Sequence, residues 1–359
     1  MSIDTLNKVQ DESQINDTRK AELLKSEVEH IDITSFDARP IIDAMGKMSF
    51  TSRDTANAAK LYNTMLTDPG CSVILVIAGS TSAGGCMDLY TDLVKHNMVD
   101  AIVATGAAIV DMDFFEALGH KHYQALEIPD DDTLRSLYID RIYDTYIDEE
   151  SLQETDHTIG DIADSLEPKP YSSRAFIREM GRWLQTHGKK EHSLVKLAFE
   201  HDVPIFCPAF TDSSAGFGLV KHQVDRIKAG KPYLTMDSIA DFRELTDIKI
   251  KAGTTGLLMI GGGVPKNFTQ DTVVCAEILC HEDVEVHKYA IQITVADVRD
   301  GACSSSTLQE AASWGKVSTA LEQMVFAEAT SVLPLLASDA FHRGHWRERT
   351  ERRFARLFD

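Results

Sequence analysis

Lys316 stands in Ser313-Trp314-Gly315-Lys316, within an otherwise apolar stretch. A lysine held among apolar groups or beside another cation loses basicity and becomes a nucleophilic amine. On spacing alone the stronger reading is a surface lysine on a helix. Trp314 offers a ring face to a cationic ligand, a contact worth ~0.5–2 kcal/mol, or fills a core. Just upstream, Asp300-Gly301-Ala302-Cys303-Ser304-Ser305-Ser306 leads to Thr307 and Glu310, whose spacing matches a capping box and makes helix capping the plain role for Glu310. Asp111 and Asp113 could bind ammonium groups or a metal, or lie in a solvated loop. Asp212, ending Pro208-Ala209-Phe210-Thr211-Asp212, sits where a carboxylate reaches a cofactor ribose. Two glycine-rich turns, Gly79-Ser80-Thr81-Ser82-Ala83-Gly84-Gly85 and Gly261-Gly262-Gly263, either wrap a phosphate with backbone N–H groups or are ordinary strand-to-helix turns.

These residues follow short apolar runs. Residues 71–78 (CSVILVIA), 101–105 (AIVAT), 203–209, 254–260 and 289–295 are rich in β-branched residues and end in Gly, Thr or Asp, as strands buried on both faces do. Helical stretches alternate with them, among them MDLYTDLVKHNMV and the helices expected over residues 28–69, so the pattern predicts a parallel α/β sheet. Ligands of such sheets collect at the carboxyl ends of the strands. Residues 1–27 read as a mobile polar arm and 28–342 as the catalytic domain. Residues 343–359 read as a basic tail, in which RGHWRERTERRFAR suits an exposed helix packed on a neighbouring subunit or on the acidic insertion. That insertion, residues 125–170, reads as solvated surface or a mobile segment.

The chain of 359 residues carries a net charge of −20, which disfavours nucleic acid and anionic lipid and favours polycationic ligands such as polyamines. The amino terminus has no apolar core and no run approaches the ~20 residues of a membrane span, so a cytoplasmic location is expected. Six cysteines without a C-x-x-C pair read as reduced thiols in cores. No G-x-x-x-x-G-K-[ST], H-E-x-x-H, G-x-S-x-G or G-x-G-x-x-G pattern occurs, which weakens phosphotransferase, zinc protease and serine hydrolase readings and leaves NAD unannounced by its usual fingerprint.

Five blocks in order, His96-Asn97-Met98-Val99-Asp100, Pro208 to Asp212, Gly261-Gly262-Gly263-Val264, Ser313 to Lys316 and Phe326-Ala327-Glu328-Ala329-Thr330, resemble the deoxyhypusine synthase family over most of the chain. The resemblance implies a Rossmann-like homotetramer that binds NAD at subunit interfaces and moves an aminobutyl group from spermidine through a lysine imine. By the same resemblance Lys316 carries the imine and Trp314, Glu310 and Asn267 hold the polyamine. Ser80, Thr105, Asp212, Asp300, Gly301, Glu328 and Ala329 line the NAD site, and no metal is implied. The acceptor is a translation-factor lysine, giving deoxyhypusine, or a small diamine such as putrescine, giving homospermidine.

The chain also departs from the family pattern. Asn267 stands where the family has histidine, and Phe217 and Cys303 stand where it has carboxylates. An ammonium left unpaired in a buried site costs several kcal/mol, so Asp111 or Asp113 is the expected substitute anchor. These departures resemble the divergent deoxyhypusine synthase-like branch. The leading expectation is an NAD-dependent aminoalkyl transferase. The alternatives are a catalytically silent member that binds a polyamine or a partner, and an NAD-dependent amine oxidase.

Overall fold

A computed structural model of the chain describes residues 16–359 apart from 281 and 283. The five apolar runs form β1 (Ser72–Ile77), β2 (Ala101–Ala104), β7 (Ile205–Phe206), β9 (Thr255–Ile260) and β10 (Tyr289–Thr294), with numbering along the chain. All their residues are buried, as strands covered by helices on both faces must be. A sixth strand, β11 (Glu322–Phe326), closes one edge. It escaped the apolar-run reading because only Val325 in it is fully buried.

All six pair in parallel in the order β7-β2-β1-β9-β10-β11. Counted by appearance in the chain this is 3-2-1-4-5-6, the doubly wound order, and the direction of winding reverses between β1 and β9. Ile77 is in register with Ile260, so the two glycine turns leave the sheet side by side at that switch point. The turn after β1 is broken at Gly85, whose φ of 96° is left-handed, whereas the turn after β2 is π-helical, Ala107–Phe114. Such wide turns are rare and favour functional sites. The helix expected after the first strand is Met87–Lys95, and Arg39–Met45 and Phe50–Thr67 occupy the helical stretch that precedes it.

The acidic insertion is folded. It contributes β4 (Ile139–Ile142) and β5 (Thr145–Asp148), which with β3 (His122–Gln124) form an antiparallel sheet, and the helix Glu149–Ser165. Its charge is spent at helix starts: Asp130 and Asp148 cap the helices Asp131–Ser136 and Glu149–Ser165, with further acids in each first turn, where the helix dipole favours them. Part of the expected arm is ordered too. Residues 16–23 are helical, Leu23 joins Leu134, Leu137, Ile139 and Tyr146 in a small core, and Lys20 pairs with Asp148 and Glu150 at 2.7 Å. The rest of the arm, residues 1–15, lies outside the described residues. A two-stranded pair, β6 (Pro170–Tyr171) with β8 (Thr235–Met236), completes the strands.

The basic carboxyl-terminal segment is not one helix. The helix Ala329–Arg343 stops at Gly344, and two 3-10 turns follow, His345–Glu348 and Phe354–Phe358. The segment folds beneath the amino ends of its own strands. Arg349 pairs with Asp100 at 2.5 Å, both side chains at most 5% exposed, and Asp100 also accepts from Val73 N at 2.7 Å. Arg353 and Arg356 pair with Asp202.

Candidate active site

Lys316 lies just beyond a helix rather than on it. Thr307 caps the helix Leu308–Ser313 by accepting from Glu310 N at 3.1 Å, one half of the expected box. At the other end Trp314 N and Lys316 N both donate to Ala311 O, and Gly315 takes a left-handed φ of 70° that a side chain would oppose. That glycine turns Lys316 back toward the helix Gly263–Gln270. There its Nζ meets Asp271 Oδ1 at 2.6 Å and Asn267 Oδ1 at 3.3 Å, while Asn267 Nδ2 donates to Asp271 Oδ2 at 2.8 Å. Trp314 is exposed rather than core, and the cation over its ring, 5.5 Å from the centroid, is Lys316 itself.

A cavity of about 270 Å³ gathers Asn267, Gly301, Cys303, Glu310, Trp314 and Lys316. It thus joins the lysine, the expected polyamine ligands and two of the replaced positions, and it takes in Gly301 from the expected cofactor group. Two further residues shape it that sequence reading passed over. Lys266, only 1% exposed, donates to the carbonyls of Cys303, at 3.2 Å, and Ser306. Burial pushes its amine down to about 8, and the nearby Lys316 charge acts in the same direction. Asp271 could have been found from its i, i+4 spacing to Asn267 on a helix that opens at the triple glycine. Lys266 gave no such signal, since a lysine following Val-Pro looks like surface. Gln292 of β10 ties the two loops together, donating to Gly261 O at 3.0 Å and Ser304 O at 3.1 Å.

The other expected cofactor residues sit at the carboxyl ends of the strands. Ser80 is half-buried in the turn after β1, and Thr105 directly follows β2, its N donating to Ile77 O at 3.1 Å. Glu328 caps the helix Ala329–Arg343 through Thr330 N and Ser331 N, and Ala329 opens that helix. In the β1 turn the thiol of Cys86 is pushed up to about 12, by burial first and by the charge of Glu328 second. Asp212 and Asp300 are exposed in the loops that follow β7 and β10. Of the cysteines, Cys71, Cys86 and Cys207 are buried, Cys275 and Cys280 half-buried and Cys303 exposed.

Asp113, Asp111 and Phe217 lie apart from Lys316. Asp113 is fully buried and spends both oxygens on Ser193 Oγ, Leu194 N and Val195 N, fastening the start of the helix Leu194–Glu200. Asp111 Oδ1 accepts from Ser214 N at 2.7 Å, at the start of the helix Ser214–Lys228. Burial, opposed by the Ser214 hydrogen bonds and reinforced by Asp156 and Asp212, raises its carboxyl to about 7. Phe217 is 70% exposed and lines a different cavity. Among the described residues no group of three or more His, Cys, Asp or Glu side chains is arranged to hold a metal, and no helix is long and apolar enough to cross a membrane.

A sequence model of the family described as deoxyhypusine synthase matches residues 40–340. A protein named "Deoxyhypusine synthase-like protein" from Coxiella burnetii is 74% identical over 340 residues, 94% of this chain and 96% of the relative. One of the same name from Caulobacter vibrioides is 69% identical over 96% of this chain and 94% of its own length. The "Probable deoxyhypusine synthase 2" of Methanosarcina mazei is 37% identical over 91% of this chain and 92% of its own length. The solved structure described as "Crystal Structure of a putative deoxyhypusine synthase from Entamoeba histolytica" superposes with a TM-score of 0.61 at 19% identity, covering 90% of this chain and 99% of that one, a likeness of fold. With its doubly wound sheet and its lysine cavity at the strand ends, the chain belongs to the deoxyhypusine synthase family.

Proposed function

We propose that the protein is an NAD-dependent aminobutyl transferase, taking the group from spermidine onto Lys316 and passing it to an acceptor amine. The observation that carries this reading is the convergence of Lys316, Trp314, Glu310 and Asn267 on one cavity in a chain of this family. The crevice between β1 and β9 suits a dinucleotide, because the glycine turns on both sides keep side chains away from the switch point. Ser80, Thr105, Asp212, Glu328 and Ala329 are the residues assigned to hold it. Bound NAD supplies the two-electron acceptor that takes hydride from the carbon beside the secondary amine and returns it at the end.

Lys316 Nζ, once its proton is handed to Asp271, attacks the iminium carbon, and diaminopropane leaves with the nitrogen pair of the broken C–N bond. Asn267 keeps Asp271 in place for that transfer. Glu310 and the Trp314 ring face the cavity, where they hold the ammonium end and the methylene chain of the donor. The acceptor amine then displaces Lys316 by transimination. A small diamine is the acceptor we favour, because Phe217 and Cys303 stand in place of carboxylates and the chain carries a −20 field that gathers free polyamines. We also infer a cytoplasmic homotetramer.

The test incubates the protein with NAD and spermidine, with and without putrescine, quenches with borohydride and reads protein and small molecules by mass spectrometry. A reduced adduct on Lys316 that putrescine diverts to homospermidine is the expected result. An adduct that putrescine leaves untouched moves the acceptor to a protein lysine. Transfer at the parental rate by Lys316→Ala refutes the covalent mechanism.

A further inference from the structure

His287 lines no part of the Lys316 cavity, yet both halves of the pair between Lys316 and Asp271 are fastened to it. Its main chain holds the lysine side. His287 N donates to Lys316 O at 3.0 Å and Ser318 N donates to His287 O at 2.9 Å, a parallel bridge that fixes the chain on either side of Val317. Its ring holds the aspartate side. Nε2 lies 3.2 Å from Thr269 O, in the last turn of the helix Gly263–Gln270 and two residues before Asp271. Carbonyls at a helix end lack partners within the helix, and here the ring and the Thr272 hydroxyl, at 2.7 Å, supply them.

A carbonyl only accepts, so Nε2 carries the ring proton, and Nδ1, 2.8 Å from Thr255 Oγ1, accepts from that hydroxyl. Thr255 opens β9 and, like His287, is 0% exposed. The ring stays neutral: burial first and the charge of Lys249 second push it from 6.5 down to about 3, against the Thr269 bond. A neutral imidazole has one donor and one acceptor, and both are used here. The ring therefore cannot turn over without losing both bonds. Asp271 stands at the joint between the helices Gly263–Gln270 and Thr272–Cys280, and Lys316 follows the left-handed Gly315. Both sit at breaks in the backbone, so what joins the two segments sets their 2.6 Å separation.

We propose that His287 is a positioning residue that holds Lys316 Nζ and the Asp271 carboxylate at proton-transfer distance. The use of that pair in catalysis rests on the aminobutyl-transferase reading; the link between the two segments rests on the hydrogen bonds. A shift of about 1 Å between reacting groups can cost up to about a hundredfold in rate.

His287→Leu removes both ring bonds, and Thr255→Val removes the hydroxyl that fixes the ring. The expected result is a kcat for aminobutyl transfer lowered about tenfold or more in each, with KM for spermidine, set by Trp314 and Glu310, unchanged. His287→Gln, which keeps a donor toward Thr269, and Thr255→Ser, which keeps the hydroxyl, recover part of the loss. In an Asp271→Asn background the same substitutions no longer lower kcat, because the pair they act through is gone. An equal loss in both backgrounds, or a parental kcat in Thr255→Val, overturns the proposal. Should His287→Leu lose its cooperative melt, the Thr255 variants carry the test. If the parent forms no borohydride-trapped adduct on Lys316, the transferase reading fails, and urea unfolding of the parent, Thr255→Val, Asp271→Asn and their combination decides the positioning. It stands if Asp271→Asn lowers the midpoint less once Thr255→Val is present, and falls if the two shifts add.

Discussion

Replacing Lys266 by methionine isolates the cost of a buried amine beside the reactive one. Folding moves this amine from water to a position 1% exposed, and burial pushes it from 10.5 down to about 8. Between those values the unfolded chain holds a proton that the folded chain has released, so stability rises with pH across this window, and below it the full cost of the charge is felt. At about 1.36 kcal/mol per pH unit, a fall from 10.5 to about 8 amounts to about 3 kcal/mol. Methionine removes that cost and also forfeits the bonds to the Cys303 and Ser306 carbonyls, each worth about 1–3 kcal/mol. At neutral pH the two effects oppose each other, so a single measurement there decides nothing. The difference between the two proteins is decisive: on going from about pH 8 to about 10.5 the parent gains on Lys266→Met by about 3 kcal/mol. Urea unfolding of both proteins through that range reads it. Lys249, also pushed to about 8 by burial, is present in both and cancels. Parallel stability curves refute the reasoning.

Other substitutions test the frame around the site. Arg349→Met strands Asp100 as a buried charge and is expected to cost about 3–5 kcal/mol in urea unfolding, most of it recovered when Asp100→Leu is added. Gly218→Ala places a methyl against the Asp156 carbonyl and is expected to cost about 1–3 kcal/mol, with a lower melting temperature; an unchanged melt contradicts the packing described. Glu116 is buried, which alone raises its carboxyl, but hydrogen bonds from His122 and His30 and the charge of Lys190 outweigh burial and hold it well below the ordinary range. Its stabilisation is therefore full above its unfolded value of 4.5 and lost as pH falls, and Glu116→Gln should flatten the acid limb of the stability profile.

The strands around the switch point were legible because burial on both faces demands unbroken apolar runs, as in Val73–Ile77 and Leu257–Ile260. The edge strand was not, since Glu322 and Gln323 answer to solvent as much as to the core. The Lys316 cavity was legible in Trp314, Glu310, Asn267 and Cys303 through a family resemblance rather than through chemistry. Lys266 stayed hidden because a lysine satisfied by two carbonyls leaves no mark in composition, whereas Asp271 was within reach of its i, i+4 spacing to Asn267. The acidic insertion misled for a related reason. Its aspartates and glutamates look like solvated surface until the helix starts they cap are seen.

The ion pair between Arg349 and Asp100 also bears on how the protein is made. The partners are 249 residues apart, and Ser72 at the start of β1 is in register with Thr255 of β9. As the chain leaves the ribosome, β1 and β2 are available long before either counterpart. Docking β2 early would bury Asp100 with no cation, at a cost of several kcal/mol, so the half-made sheet stays loose and open to chaperones. Arg349 then acts as a latch that closes only once the chain has been read through it. A nascent chain stalled short of that residue is left with an unlatched sheet, the kind of product that cellular proteases remove.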